Sequence, residues 1–477
     1  MPSSSIEFLL NDELITLNDL DTNTTVLEYL RNYKNLKGTK EGCASGDCGA
    51  CTAVIAELVD NKLKYKSINT CIMFVYNLHG KQLITVENLK DNQKLHPVQK
   101  SMIEYGGSQC GFCTPGFIMS MFSMFKNNVI TNKENIDEHL AGNLCRCTGY
   151  NSIYLATKNM YSYGKSDHFS KNEKKLINKL KSIKDKDVAI DFLDKKFLIP
   201  SNLNSLKENI DQSKNCNFLS GGTDLALEVT KKRKSLDSII YLGNNKDLKY
   251  TKVINDNIVI GSATPINDTL KILDKYYPSI KKMYMRYGSS QIRNVATIGG
   301  NIANASPIGD SAPALISLDS SLIIEGKKTR IIKLKDFFIS YKKTILEKNE
   351  FLKEIIIPLH KDTVFKCYKI SKRFDDDISA VFMAINMKIK NEIIKKISIT
   401  FGGMADIPKS AIKTEKFLKR KKYNFKNILL AKEYLSKDFS PISDMRASKN
   451  YRKAISENLL EKFYYETTTK KDISVNK

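Results

Sequence analysis

Tryptophan is missing from the 477-residue chain, and histidine occurs only five times. No apolar run approaches the ~20 residues that a membrane-crossing helix needs, which excludes a helical span. The opening MPSSSIEFLLNDELITL lacks a basic stretch ahead of an apolar core. It does not read as a secretory leader, and a cytoplasmic location is expected. The histidines (His79, His96, His139, His168 and His360) form neither H-E-x-x-H nor a triad-like pattern, so no catalytic residue is expected on this chain. Acidic residues are scarce beside basic ones, 52 against 76, giving a net charge of +24. The basic runs Lys231–Lys234 and Lys419–Lys422 are short and lack interleaved aromatics. The charge therefore reads as solvated lysine-rich faces, and nucleic acid is not an expected partner.

Cysteine is nearly absent beyond residue 147, where only Cys216 and Cys367 occur, expected as buried apolar thiols. The other eight, Cys43, Cys48, Cys51, Cys71, Cys110, Cys113, Cys145 and Cys147, crowd the N-terminal third. Clustered cysteines in a reducing compartment point to metal ligands rather than disulfides.

Hydrophobic content of 42% suits several globular cores, and the length implies more than one domain. Residues 1–87 alternate in strand-like pieces (Ile6–Leu10, Leu14–Leu17, Ala53–Leu58, Gln82–Val86) around one helical stretch, Thr25–Asn32. Residues 88–163 turn helical, with helices expected at Leu95–Tyr105, Pro115–Lys126, Lys133–Ala141 and Ile153–Tyr163. Thr131 and Glu134 stand in capping-box spacing, and the Met/Phe stripe Met119, Met121, Phe122, Met124 and Phe125 reads as bundle core. Residues 164–187 have linker composition, partly helical. Strands and helices mix in 188–364 and again in 365–477, where the polar tail Glu466–Lys477 is expected to be disordered. The fold class is α+β and multidomain.

Glu41-Gly-Cys-Ala-Ser-Gly-Asp-Cys-Gly-Ala-Cys51 spaces its cysteines C-x4-C-x2-C, and Cys71 follows after nineteen residues. That is plant-type 2Fe–2S ferredoxin spacing. Gly42, Gly46 and Gly49 free the loop to wrap closely, so that backbone N–H groups can reach the sulfurs. Structural zinc favours two similar short knuckles and fits this spacing less well. The second set, Cys110-Gly-Phe-Cys113 and Cys145-Arg-Cys147, flanks helix ends. Its spacing alone suits four-cysteine zinc as well as iron–sulfur, and a dithiol redox pair at Cys110 and Cys113 is a further possibility. Further on, Phe218-Leu-Ser-Gly-Gly-Thr-Asp-Leu225 and Thr297-Ile-Gly-Gly-Asn301 offer glycine-paired turns whose N–H groups could converge on a pyrophosphate. No G-x-G-x-x-G follows a strand, so a Rossmann site is not expected.

The flanking text of these sites resembles the xanthine dehydrogenase (molybdenum hydroxylase) family. The resemblance rests on EGCASGDCGACTAV, SQCGFCTPGF, GNLCRCTGY, the stretch Tyr287 to Asp310 and SKRFDDDIS. It implies a β-grasp ferredoxin-like domain (1–87) and a four-helix-bundle 2Fe–2S domain (88–163). After the linker, it implies a non-Rossmann, PCMH-type α+β FAD domain (188–364) and a small domain like the CO dehydrogenase flavoprotein C-terminus (365–477). It implies that Cys43, Cys48, Cys51 and Cys71 hold one cluster, and Cys110, Cys113, Cys145 and Cys147 the other, nearer the molybdenum, with Gln109 facing the pterin. The implied FAD contacts are Phe218, Leu219, Ser220, Gly221, Gly222, Thr223, Asp224, Leu225, Tyr287, Thr297, Ile298, Gly299, Gly300, Asn301, Asp310, Leu352 and Lys369. Asp375 to Asp377 would lie near the flavin. One departure is Ser45, where the family commonly has an acidic residue. It bears on tuning of the first cluster only.

The likeness stops short of the family's molybdopterin-binding region. It therefore implies the small subunit of a bacterial two-subunit member, paired with a molybdopterin-binding large subunit as a dimer of heterodimers. Electrons from a purine oxidised on that partner would pass through both clusters to FAD and on to NAD+. A different molybdenum hydroxylase, oxidising aldehydes or carbon monoxide, and a zinc-stabilised scaffold are the alternatives.

Overall fold

The computed structural model describes residues 2–477 except 184, 214, 470, 472 and 474–477. Two compact units result: Met1–Lys249 with Gly288–Ala296, and Tyr250–Tyr287 with Thr297–Lys477. The boundary between compact units thus lies at Lys249, outside the lysine-rich stretch 164–187. That stretch forms helices His168–Lys171 and Glu173–Ile183, whose Leu176 and Leu180 pack on Leu9 and Leu63. Apolar residues spaced four apart are enough to dock a helix whose remaining faces are lysine-rich.

The first unit opens with β1 (Ile6–Leu10), β2 (Glu13–Leu17), β3 (Thr52–Val59), β4 (Lys62–Asn69) and β5 (Gln82–Ile84), in sheet order β2-β1-β5-β3-β4. Strand β4 was not expected from the sequence. Its lysines at 62, 64 and 66 mask the alternation, yet Lys66 is buried against Glu57 at 2.5 Å. Asp60 and Asn61, both at positive φ (48° and 60°), make the two-residue reversal that aligns Val59 with Lys62. The helix expected over Thr25–Asn32 is one α turn, Val26–Glu28, running into a π-helical stretch, Tyr29–Tyr33.

Four helices follow: α1 (Pro97–Glu104), α2 (Thr114–Lys126), α3 (Lys133–Leu140) and α4 (Asn151–Asn159). In α2 the whole run Gly116–Phe125 is buried, so the Met/Phe stripe is core. The cap of α3 is Asn132, whose Oδ1 accepts from Asn135 N at 2.9 Å. Thr131 instead donates to the Lys158 carbonyl, which corrects the Thr131–Glu134 expectation. Asparagine is at least as strong a cap as threonine. The unit ends with a four-stranded sheet of Val188–Phe192, Lys195–Ile199, Ser238–Tyr241 and Asn217–Leu219, which shares one core with β1 and the Phe74–Leu78 segment.

The second unit has a five-stranded antiparallel sheet (Thr251–Ile254, Asn257–Gly261, Phe351–Pro358, Ser321–Glu325, Arg330–Lys333) flanked by helices. A four-stranded sheet from Val364 to Ser410 follows, covered by helices ending in Lys449–Thr468. That last helix reaches into the expected disordered tail. Glu466 is buried and accepts from Tyr368 Oη at 2.9 Å, which corrects the expectation for residues 466–468. Residues 470, 472 and 474–477 of that tail lie outside the described residues. Cys216 and Cys367 are half-buried rather than fully enclosed. Cys367 exchanges hydrogen bonds with Ser279, and burial pushes its thiol up to about 12.

Candidate iron–sulfur and flavin sites

The loop from Cys43 to Cys51 leads into β3, and Cys71 sits in a 3-10 turn after β4 (Thr70–Ile72). Four of the loop's backbone N–H groups point at sulfur. Cys43 N donates to Cys48 Sγ at 3.3 Å, while Ser45, Asp47 and Cys48 N donate to Cys43 Sγ at 3.4, 3.2 and 3.3 Å. The thiol of Cys71 adjoins those of Cys43 and Cys51, so all four sulfurs gather. Cys51 and Cys71 are buried, and Cys43 and Cys48 half-buried. Gly46 and Gly49 take φ of +77° and +69°. A Cβ on Gly49 would lie 2.2 Å from the Gly142 carbonyl, so nothing larger fits.

The second set stands on helix ends. Cys113 is the N-cap of α2, and Cys145 and Cys147 lie between α3 and α4. Cys147 Sγ is 3.5 Å from Cys110 Sγ, and Cys113 adjoins Cys145. Burial raises the Cys145 thiol, but hydrogen bonds from Thr148 Oγ1 (3.1 Å) and N (3.5 Å) outweigh it and hold it at about 7. Thiolate-favouring surroundings suit a metal ligand. Cys110, Cys147 and Gln109 are exposed, with Phe112, Leu144 and Tyr150 as exposed apolar neighbours in sequence. Among the described residues no three His, Cys, Asp or Glu groups close around a single point as one ion would require. In the first site Cys43 adjoins both Cys48 and Cys71, and Cys71 adjoins Cys51; in the second Cys110 adjoins Cys147, and Cys113 adjoins Cys145. Each site thus brings together four thiols, the number a 2Fe–2S cluster takes. With N–H donors already aimed at sulfur, the residues fit such clusters.

The glycine turn Ser220 to Leu225 lies in the first unit. Gly222 takes φ +75° with Ile72 O 3.3 Å from its Cβ position, and Gly221 packs so closely on the Val295 carbonyl (2.1 Å) that it admits no side chain. The turn therefore abuts the segment holding Cys71. Beyond it, Lys231 Nζ donates to the Cys43 carbonyl.

The second unit carries the other expected flavin residues. Thr297 to Asn301 is the first turn of a helix (Ile298–Ala303) rather than a free glycine turn: Thr297 caps it and takes the Gly300 N–H at 2.9 Å. Asn301 donates to the Tyr287 hydroxyl at 2.9 Å and leaves its buried Oδ1 without a donor. Such an orphaned acceptor is costly unless a ligand satisfies it, so it fits a polyhydroxylated cofactor. Asp310 and Lys369 pair at 2.7 Å, and Ser379 bonds both, to Lys369 Nζ at 2.9 Å and Asp310 Oδ1 at 2.6 Å. Ser379 was not singled out in the sequence. Leu352 is buried on its strand. Of the acidic triplet, Asp377 accepts from Arg373 and Ile378 N and so serves its own turn.

These sites together define a two-cluster iron–sulfur flavoprotein. Four domain families match the chain in order: "2Fe-2S iron-sulfur cluster binding domain" at residues 8–76, "[2Fe-2S] binding domain" at 85–158, "FAD binding domain in molybdopterin dehydrogenase" at 192–360, and "CO dehydrogenase flavoprotein C-terminal domain" at 366–467. Similar proteins include xanthine dehydrogenase of Emericella nidulans, 29% identical over 97% of this chain and 38% of that protein. Xanthine dehydrogenase 1 of Arabidopsis thaliana is 32% identical over 84% and 35%. The chain thus spans little more than a third of the length of these relatives. Among solved structures, carbon monoxide dehydrogenase from Hydrogenophaga pseudoflava superposes with a TM-score of 0.53 at 22% identity, over 56% of this chain and 94% of that one. Quinoline 2-oxidoreductase from Pseudomonas putida 86 gives 0.53 at 18%, over 57% and 96%. Both are likenesses of fold. The two 2Fe–2S domains, the FAD domain and the C-terminal domain together fit an iron–sulfur and FAD subunit of a molybdenum hydroxylase.

Proposed function

We propose that this chain is the electron-transfer subunit of a xanthine dehydrogenase, cytoplasmic and bound to a molybdopterin subunit that oxidises hypoxanthine or xanthine. NAD+ is the final acceptor. The observation that carries the reading is serial order within the first unit. Leu144 N, next to Cys145, donates to the Cys48 carbonyl at 3.0 Å, and Ile72, next to Cys71, abuts Gly222 of the flavin turn. Site two, site one and flavin loop stand in that sequence. The relatives named xanthine dehydrogenase favour the purine.

When bound, two 2Fe–2S clusters and FAD supply a one-electron relay joined to a two-electron hydride carrier. Cys43, Cys48, Cys51 and Cys71 hold the first cluster, and Cys110, Cys113, Cys145 and Cys147 the second. Phe218 to Leu225, Tyr287, Thr297 to Asn301, Asp310, Leu352 and Lys369 contact FAD, the Asp310–Lys369–Ser379 ring holding Lys369 in one rotamer. Gln109 and the exposed edge at Cys110 and Cys147 face the molybdopterin partner. The domains divide as 1–87, 88–163, 188–364 and 365–477.

Anaerobic titration tests this. NADH bleaches the flavin of the loaded chain alone, and xanthine bleaches it only when the molybdopterin partner is present. Failure with NADH removes NAD+ from the scheme. Bleaching of the complex by an aldehyde or carbon monoxide but not by xanthine reassigns the substrate to another hydroxylase.

A further inference from the structure

The segment Gly288–Ala296 interrupts the second unit in sequence but belongs to the first. Its Gln291 is fully buried. Nε2 donates to Asn143 Oδ1 at 2.9 Å, with Ser120 Oγ at 3.2 Å and Thr52 Oγ1 at 3.4 Å. Asn143 Nδ2 in turn donates to the Gly49 carbonyl at 3.1 Å, and Ser120 Oγ donates to Asn143 Oδ1 at 2.6 Å. One amide therefore ties the first cysteine loop (Gly49, and Thr52 after Cys51) to the second (Asn143, two residues before Cys145).

The Gly49 carbonyl sets the orientation of the two amides. A carbonyl such as Gly49 O only accepts, so Asn143 turns its NH2 toward it and its oxygen toward Gln291. Gln291 must then present NH2. The packing is equally constrained, since a Cβ on Gly142 would lie 2.4 Å from Gln291 Oε1 and 2.3 Å from Ser289 Cβ. The network borders the Leu144–Cys48 hydrogen bond, which joins the two cysteine loops directly.

We infer that Gln291 is a positioning residue that fixes the separation of the two clusters by locking the Gly49–Thr52 segment to the Gly142–Asn143 segment. This rests on the two-cluster reading above. The inference concerns geometry between sites, to which Gln291 contributes no ligand.

The test compares the dithionite-reduced full-length holoprotein with Gln291→Leu, which keeps the volume and removes the amide, and Gln291→Glu, which keeps the shape but replaces the donors. Magnetic coupling between two reduced clusters falls with the cube of their separation. Wild type shows two iron–sulfur signals split by mutual coupling. In both variants iron and FAD content and both signals persist, while the splitting shrinks by more than the spread among replicate wild-type spectra. Unchanged splitting in either folded variant overturns the inference. So does loss of iron in both, which would make Gln291 a structural support for cluster binding itself. If wild type lacks two iron–sulfur signals, the two-cluster reading fails first, and its failure is visible before any variant is made.

Discussion

The two four-thiol sites use the same ligand chemistry in opposite settings. The first is wrapped in a loop whose backbone N–H groups meet sulfur, and two of its four thiols are buried. The second hangs on helix ends, with Cys110 and Cys147 exposed. Enclosure lets one chain finish a site by itself, whereas an exposed edge leaves part of the site to whatever docks there. The first site faces inward toward the Ser220–Leu225 glycine turn, and the second offers its rim outward.

The largest expected effect is loss of one site without the other. Cys71→Ser should remove about two irons of four and destabilise the sheet core, since Cys71 is buried within it. Cys147→Ser should remove about two irons with little change in melting temperature. Iron analysis with thermal unfolding distinguishes them, and equal destabilisation would break the contrast.

The glycines sharpen it. Gly49 and Gly111 both take positive φ (+69° and +81°), so alanine costs either about 1–2 kcal/mol of backbone strain. At Gly111 the added methyl meets open space, whereas at Gly49 it strikes the Gly142 carbonyl. Gly49→Ala should therefore exceed Gly111→Ala by roughly 1–3 kcal/mol in denaturant unfolding. Equal costs would show that the first loop is no more tightly packed than the second.

Acid should instead treat both domains alike. His79 in the first and His139 in the second are both held at about 4, chiefly by burial, with like-charge repulsion from Lys81 and Lys186 at His79 and from Arg293 at His139 adding to it. A histidine of depressed pKa binds fewer protons folded than unfolded, so stability is intact above about 6.5 and falls as pH drops toward 4. For His79, fully enclosed, the loss approaches about 3 kcal/mol across that window. Unfolding followed against pH should flatten in His79→Gln. A smaller effect is kinetic: a chelator should strip iron in two phases, the faster from the exposed site and absent in Cys147→Ser.

Much of this was legible in the cysteine spacing and helix periodicity, because ligand geometry and core burial both leave fixed intervals. The Met/Phe stripe of α2 and the helix boundaries near both cysteine pairs followed directly. What escaped were polar groups whose partners are remote in sequence. Gln291 and Asn143 lie 148 residues apart, and the marked stretches that contain them do not reveal that the two meet. Ser120, one of two serines buried in the Met/Phe run of α2, was an available signal. Strand β4 escaped because its lysines hide a buried ion pair, and the Thr297 turn because glycines in a helix's first turn look like those of a loop.

Electron paramagnetic resonance of the fully loaded, dithionite-reduced protein decides whether the eight thiols hold two iron clusters. Two spectroscopically distinct 2Fe–2S signals from about four irons per chain are expected. A single signal, or zinc in either four-cysteine site, would contradict that assignment.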